Sequence, residues 1–262
     1  MRLLFLGDVV GRPGRRALAA VLPRLRREAA IHFVIANGEN ASNGKGINPR
    51  GAEELRDAGV DVLTSGNHIW QSRDIIPYLR ENGRLLRPLN FAPDVPGVGW
   101  TVRAGKGSSV LVGVINLIGR TFMGPAGCPF GAVEEVLPTV RQETPVIVVD
   151  MHCEATSEKV GMGWFLDGKV SAVVGSHTHV QTADETILPG GTAYLTDAGM
   201  CGPERSVLGM RVDQVLHRFR SQMPVRFDVA DGPVLVQGAL IDVDEQTGRA
   251  TAISRVRERV AA

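Results

Sequence analysis

Short apolar runs that stop at glycine and polar residues recur along the chain, at RLLFLGD (2–8), HFVIANGE (32–39), DVLTSGN (61–67), PVIVVDMH (145–152) and SAVVGSHTH (171–179). Each is rich in Leu, Ile and Val and lacks the strict alternation of a half-wet strand, so these five are expected to be strands buried on both faces. Between the first three the period turns helical. Pro13 sits at a plausible first helical position and opens a pattern over 12–29, and apolar positions recur at helical spacing over 49–58 and again over 72–82. Strand followed by helix, repeated, predicts a largely parallel sheet.

Farther along the pattern changes. Residues 98–119 read as two strands joined by a Gly-rich turn, and FMGPAGCPFG (122–131) reads as a long loop. Residues 232–258 read as a closing hairpin that turns around Gln246 to Gly248. No repeat, low-complexity tract or linker divides the chain. Its 262 residues are expected to form one α/β domain, large enough to bury a core without disulfides.

Charge adds little: 29 Lys and Arg against 28 Asp and Glu give a net +1, which supplies no general pull toward nucleic acid or an anionic membrane. With 5% aromatic residues, a base-stacking RNA surface also has little compositional support. Cys128, Cys153 and Cys201 contain no CxxC pair and are odd in number, so reduced thiols are expected. The opening MRLLFLGDVVGR carries too short an apolar run for a signal peptide, and no stretch approaches the roughly 18 residues of a membrane span. These features predict a cytoplasmic protein.

The chemistry enters through the polar residues that end the apolar runs. Asp8, Glu39, Asn40, Asn67, His68, His152, His177 and His179 each fall at or just beyond a predicted strand end. In an open α/β sheet those ends gather along one edge, where ligands bind. Imidazole, carboxylate and carboxamide groups together suit divalent metals such as manganese, iron or zinc, and the absence of clustered thiols argues against a structural zinc knuckle. One ion would use about half of the set, and two would use all of it if one carboxylate bridges them. In an extended SHTH segment His177 and His179 would face the same side, and slight bending at the strand end would hand them to neighbouring ions.

Other motifs resolve to structure. Gly7, Gly11 and Gly14 lack the GxGxxG spacing of a dinucleotide site, and AGKGSS lacks the spacing of a phosphate loop. RLRRE reads as the solvated face of the first helix. Cys153 would point away from a site that His152 faces.

The blocks GDVVGR, NGEN, SGNH, DMH and GSHTH fall in the order of the calcineurin-like metallophosphoesterase motifs DxH, GDxxD, GNHE, H and GHxH, and the chain resembles that superfamily. It departs from the general pattern at Val10, where a histidine is usual, and at Glu39 followed by Asn40, where an aspartate usually bridges. Those departures, with NGENASNGKGI, TSGNHIW, MHCEATSEK, SHTHVQTADE, TDAGMCGP and SVLGM, resemble the YmdB-like branch across nearly the whole chain. The resemblance implies a single-domain α-β-β-α sandwich with mixed, largely parallel sheets, and a metal-dependent phosphodiesterase acting on 2′,3′-cyclic nucleotides. It implies one metal held by Asp8, Glu39, Asn40 and His179, and a second by Glu39, Asn67, His152 and His177, with Glu39 as the bridge.

Two such cations would lower the pKa of a bridging water and place a hydroxide for in-line attack on phosphorus. The leaving ribose oxygen needs a proton, and His68, adjacent to Asn67 but pointing elsewhere, is the expected general acid. Two divalent or trivalent ions are the expected cofactors, with iron first and manganese or zinc as alternatives that the same donors accept. A small nucleotide or phosphoester is the expected partner. A broader phosphatase or phosphodiesterase, or a regulatory RNA- or protein-binding module that uses the metal site as a sensor, are the alternatives. The sequence leaves the oligomeric state open; the Pro- and Gly-rich loops and the segment from Met200 to Met210 are candidates for a homo-oligomer interface or a cover over the site.

Overall fold

The computed structural model describes residues 1–261. The chain begins β1 (Arg2–Leu6), β2 (Asp8–Val9), α1 (Gly11–Glu28), β3 (Phe33–Asn37), α2 (Pro49–Ala58), β4 (Val62–Thr64) and α3 (Ile75–Glu81). Next come β5 (Trp100–Ala104), β6 (Leu111–Ile118), α4 (Pro129–Glu143), β7 (Ile147–His152), α5 (Thr156–Leu166) and β8 (Ala172–Ser176). It closes with β9 (Thr186–Ile187), β10 (Ala193–Leu195), β11 (Met200–Pro203), α6 (Val212–Ser221), β12 (Val234–Val243) and β13 (Ala250–Val260).

These strands make two mixed sheets. One runs β2-β11-β12-β1-β3-β4, with β13 paired to β12, and the other β5-β6-β7-β8-β10-β9. Pairings from β1 through β3 to β4, and from β6 through β7 and β8 to β10, are parallel. Antiparallel β12 lies between β1 and β11, while antiparallel β5 and β9 form the margins of the second sheet.

The unbroken apolar runs follow from burial on both faces. Leu3 and Phe5 of β1, with Phe33 and Ile35 of β3, point between the sheets to meet Val112, Val114, Val148 and Val174. Their neighbours Leu4, Leu6, Val34 and Ala36 point outward onto Leu18 and Leu22 of α1 and Leu55 of α2. On the opposite side Ile115, Leu117, Ile147 and Val149 meet Val133 and Leu137 of α4 and Met162 and Leu166 of α5. The result is the expected α-β-β-α sandwich.

Local signals explain which elements were legible. Helix α2 occupies 49–58 because the Asn48 side chain accepts from the Gly51 N–H, Pro49 starts the first turn and Gly59 closes the end with φ 111°. Helix α1 starts two residues before Pro13, which is tolerated because the first four helical N–H groups have no intrahelical acceptor. The long loop expected over 122–131 is shorter, since Pro129 begins α4. Helices α4, α5 and α6 were not among the sequence expectations. The closing hairpin is present, with the turn between β12 and β13.

Candidate metal centre

All seven proposed donors and His68 arrive at one end of the two sheets. Asp8 opens β2, Glu39 and Asn40 follow β3, and Asn67 and His68 follow β4. His152 is the last residue of β7, while His177 and His179 follow β8. Asp8, Glu39 and His152 are fully buried and Asn40 nearly so, whereas Asn67 is exposed and His68 half-buried.

The donors form two groups. Around His152 Nε2 lie Glu39 Oε1 at 3.1 Å, Asn67 Oδ1 at 3.2 Å and His177 Nδ1 at 3.1 Å. A cation with bonds of about 2.0–2.1 Å brings adjacent ligand atoms to about 3 Å from one another, so this spacing suits a shared ion. In the second group the Asn40 amide nitrogen lies 3.3 Å from Asp8 Oδ1, 3.4 Å from Glu39 Oε1 and 3.1 Å from His179 Nε2. A half-turn of the amide puts its oxygen at that same point, facing three other donors. Glu39 belongs to both groups.

The imidazoles are held from behind. Ser176 Oγ lies 2.9 Å from His152 Nδ1 and donates to Asp150 Oδ1 at 2.6 Å, so it accepts from a protonated Nδ1 and leaves the Nε2 lone pair facing the cluster. His179 Nδ1 donates to the Leu208 carbonyl at 3.0 Å, which likewise frees Nε2. The turn inside the Met200–Met210 segment therefore abuts the site.

The SHTH segment bends far more sharply than the slight bend expected at a strand end. His177 and His179 adopt φ of 100° and 64°, a left-handed conformation costly for residues with large side chains. Polar contacts impose it. The His177 N–H donates to Asp8 Oδ2 at 2.9 Å, and both the N–H and hydroxyl of Thr178 donate to Asp197 Oδ2, at 3.1 and 2.8 Å. The two kinks send the histidines to different donor groups rather than along one face.

Sequence reasoning missed this supporting layer. Asp197 also accepts from Lys159 Nζ at 2.7 Å, an ion pair whose side chains are 0% and 1% exposed. Asp150, in the middle of an apolar strand, accepts from Ser176, Thr64 and Asn37. An acid inside such a run was the available signal, because a buried carboxyl requires partners. Glu154 Oε2 lies 3.2 Å from His177 Nε2. Cys153, as expected, turns away, its thiol donating to the Ala155 carbonyl. Gly66 is required by space: a Cβ there would fall 2.1 Å from His152 Cδ2 and 2.5 Å from Glu39 Oε2.

Electrostatics fit a cation. Burial pushes the carboxyl groups of Asp8 and Glu39 above their ordinary range, and among the described residues neither is paired with Lys or Arg. Burial pushes His152 down to about 4, and His177 to about 3 with the help of neighbouring His152, so both are neutral near pH 7 with lone pairs to donate. Burial also lowers His68, against the opposing pull of Glu39. Burial raises Asp150 to about 7 despite the hydroxyl groups donating to it. Buried acids with neutral imidazoles and no cationic side chain are what a metal completes. Among the described residues, Glu39, His152 and His177 bring ligand atoms within 4.8 Å of one another, close enough to hold one ion.

Two face-packed mixed sheets with outer helices and oxygen and imidazole donors at the strand ends define the metallophosphoesterase class. Residues 4–256 match the family described as YmdB-like protein, and the chain belongs to that family. It is 46% identical over 256 residues to the 2′,3′-cyclic-nucleotide 2′-phosphodiesterase of Bacillus subtilis, covering 98% of this chain and 96% of the relative. Among solved structures, a hypothetical protein from Thermus thermophilus superposes with TM-score 0.91 at 40% identity, covering 99% of each chain. A protein described as a novel phosphatase from Mycoplasma pneumoniae also gives 0.91, at 32% identity, covering 99% of this chain and 93% of that one.

Proposed function

We propose that this chain is a cytoplasmic, single-domain, metal-dependent phosphodiesterase that opens the cyclic phosphate of 2′,3′-cyclic nucleotides. The observation that carries the reading is the pair of donor groups sharing Glu39, found in a chain 46% identical to a relative bearing that activity's name. In this reading Asp8, Asn40 and His179 hold one ion with Glu39, and Asn67, His152 and His177 hold the other, with iron the first expectation and manganese or zinc accepted by the same donors. When bound, two ions supply charge neutralisation at the phosphoryl oxygens and activation of a nucleophilic water.

The remaining work falls to side chains. Asp150 and Ser176 fix the tautomer of His152, and the Leu208 carbonyl fixes that of His179. His68, half-buried beside Asn67 with its backbone N–H donating to Glu39 Oε2 at 3.0 Å, delivers a proton from its ring to the leaving 2′ oxygen. Burial lowers its ring pKa, and the nearby Glu39 carboxylate pulls the other way, favouring the protonated form that a general acid needs. No helix among the described residues is long and apolar enough to cross a membrane.

The test compares kcat/KM of the metal-loaded protein on 2′,3′-cyclic AMP, 3′,5′-cyclic AMP and a phosphomonoester. The first is expected to be preferred. Equal rates on all three would favour a broader phosphoesterase, and a phosphomonoester preference would reject the assignment.

A further inference from the structure

A cavity of about 680 Å³ opens beside the start of α1, apart from the donor cluster. Arg12 and Arg16 of α1, Asn43 of the loop after β3, and Arg226 and Phe227 of the segment before β12 line it. The three arginines are exposed, and among the described residues none forms an ion pair or donates a side-chain hydrogen bond. With three arginines against Asp228 and Asp231 the lining carries a net positive charge, and a bound anion gives the arginines the partner they lack.

The cavity is tied to the metal-bearing segments. Arg12 is four residues beyond Asp8 and Asn43 three beyond Asn40, so their backbones lie within about 14 and 11 Å of those donors. The Gly11 N–H donates to the Asn40 carbonyl at 2.9 Å, which fixes the two segments against each other. On the other wall, the Arg211 N–H donates to the Asp228 carbonyl and the Ala230 N–H to that of Gly209, tying residues 228–230 to the turn whose Leu208 carbonyl holds His179.

Asp228 and Asp231 also line the cavity. Both lie near enough to Arg211 to raise its pKa, after the larger effect of Asp213, so part of their charge is already answered. Acids among arginines disfavour an undifferentiated polyanion and suit a ligand carrying hydroxyl donors as well as phosphates. A ribonucleotide has both, and its base offers a face for Phe227.

We propose that this cavity binds ribonucleotide units upstream of the cyclic phosphate, so that the preferred substrate is an oligoribonucleotide ending in a 2′,3′-cyclic phosphate rather than a free mononucleotide. Arg12, Arg16 and Arg226 hold backbone phosphates, Phe227 stacks on a base and Asp231 accepts from a ribose 2′-hydroxyl. The inference rests on the phosphodiesterase reading and names its substrate class.

The experiment measures kcat/KM of the metal-loaded full chain on 2′,3′-cyclic AMP and on a tetraadenylate ending in 2′,3′-cyclic phosphate, for the wild type and for the double variant Arg16→Gln with Arg226→Gln. The wild type is expected to favour the tetranucleotide by roughly tenfold or more, the size of one charged contact, and the variant to bring the ratio near one. Replacing the upstream riboses by deoxyriboses is expected to remove part of the preference. A wild-type ratio near one, or a ratio unchanged in the variant, would overturn the proposal. A second arm reads fluorescence anisotropy of a labelled tetraadenylate 3′-phosphate against salt, where loss of two phosphate contacts should reduce the slope of log K on log[salt] by roughly 1.4. If neither substrate is hydrolysed, the phosphodiesterase reading falls, and the anisotropy arm still decides this one: equal slopes reject it.

Discussion

His152 and His179 present the same atom, Nε2, to the donor cluster from two different kinds of backbone. His152 ends a strand with parallel neighbours on both sides, and its Nδ1 meets a hydroxyl on the adjacent strand that is anchored in turn by buried Asp150. His179 lies outside the sheet at φ 64°, and its Nδ1 depends on the carbonyl of Leu208, itself left-handed at φ 53° in a turn. One donor is positioned by the core. The other is positioned by loops that the core must brace, through Asp197 and Asp8.

Glu39 joins the two halves, so its loss should have the largest effect. Glu39→Gln is expected to abolish turnover and to reduce bound metal, measured by inductively coupled plasma mass spectrometry, from two ions per chain to one or none. His68→Ala should lower kcat by about 10²–10⁴-fold while metal content stays near two. Loss of metal together with activity would instead give His68 a structural or ligand role.

Asp197→Asn separates bracing from coordination. It leaves the Lys159 charge buried without its counterion, which typically costs about 3–5 kcal/mol, and it weakens the hold on Thr178 between the two histidines. Denaturant unfolding should show the loss, and the double variant with Lys159→Met should recover part of it. No recovery would mean that the ion pair is not the reason for the cost.

Ser176→Ala should weaken one ion about 10–100-fold by releasing the His152 tautomer, with the second ion retained. Leu208→Gly should have the smallest effect, below about tenfold on the other ion, because the carbonyl that holds His179 is kept. Its stability should change by no more than about 1 kcal/mol, since relief of the left-handed backbone offsets the added flexibility of glycine. If the Leu208 variant proved the more damaging of the two, the contrast between core-braced and loop-braced donors would be wrong.

The same contrast explains what could be read from the amino-acid sequence. The five core strands and the donors at their ends announce themselves, because strands buried on both faces are apolar throughout and a polar residue at the end of one is conspicuous. Helix α2 carries its own stop signs in Asn48, Pro49 and Gly59. Helices α4 to α6 carry no such signs, and the start of α4 reads as loop because Pro129 and Gly131 suggest a breaker when their place in the first turn is unknown. The left-handed turns at His177 and His179 have no local signature, since neither is glycine and the contacts that impose them come from Asp8 and Asp197. Lys159 has no local signature either, since its partner is 38 residues away.

The proposed arrangement puts Glu39 between two ions, one on the His152 side and one on the His179 side. Anomalous diffraction from metal-loaded crystals, recorded at the iron, manganese and zinc edges, tests it most directly by counting, locating and naming the ions. Two peaks about 3.5–4 Å apart are expected, with the Glu39 carboxylate between them. A single peak, or a second one outside the Asp8, Asn40 and His179 group, would contradict it.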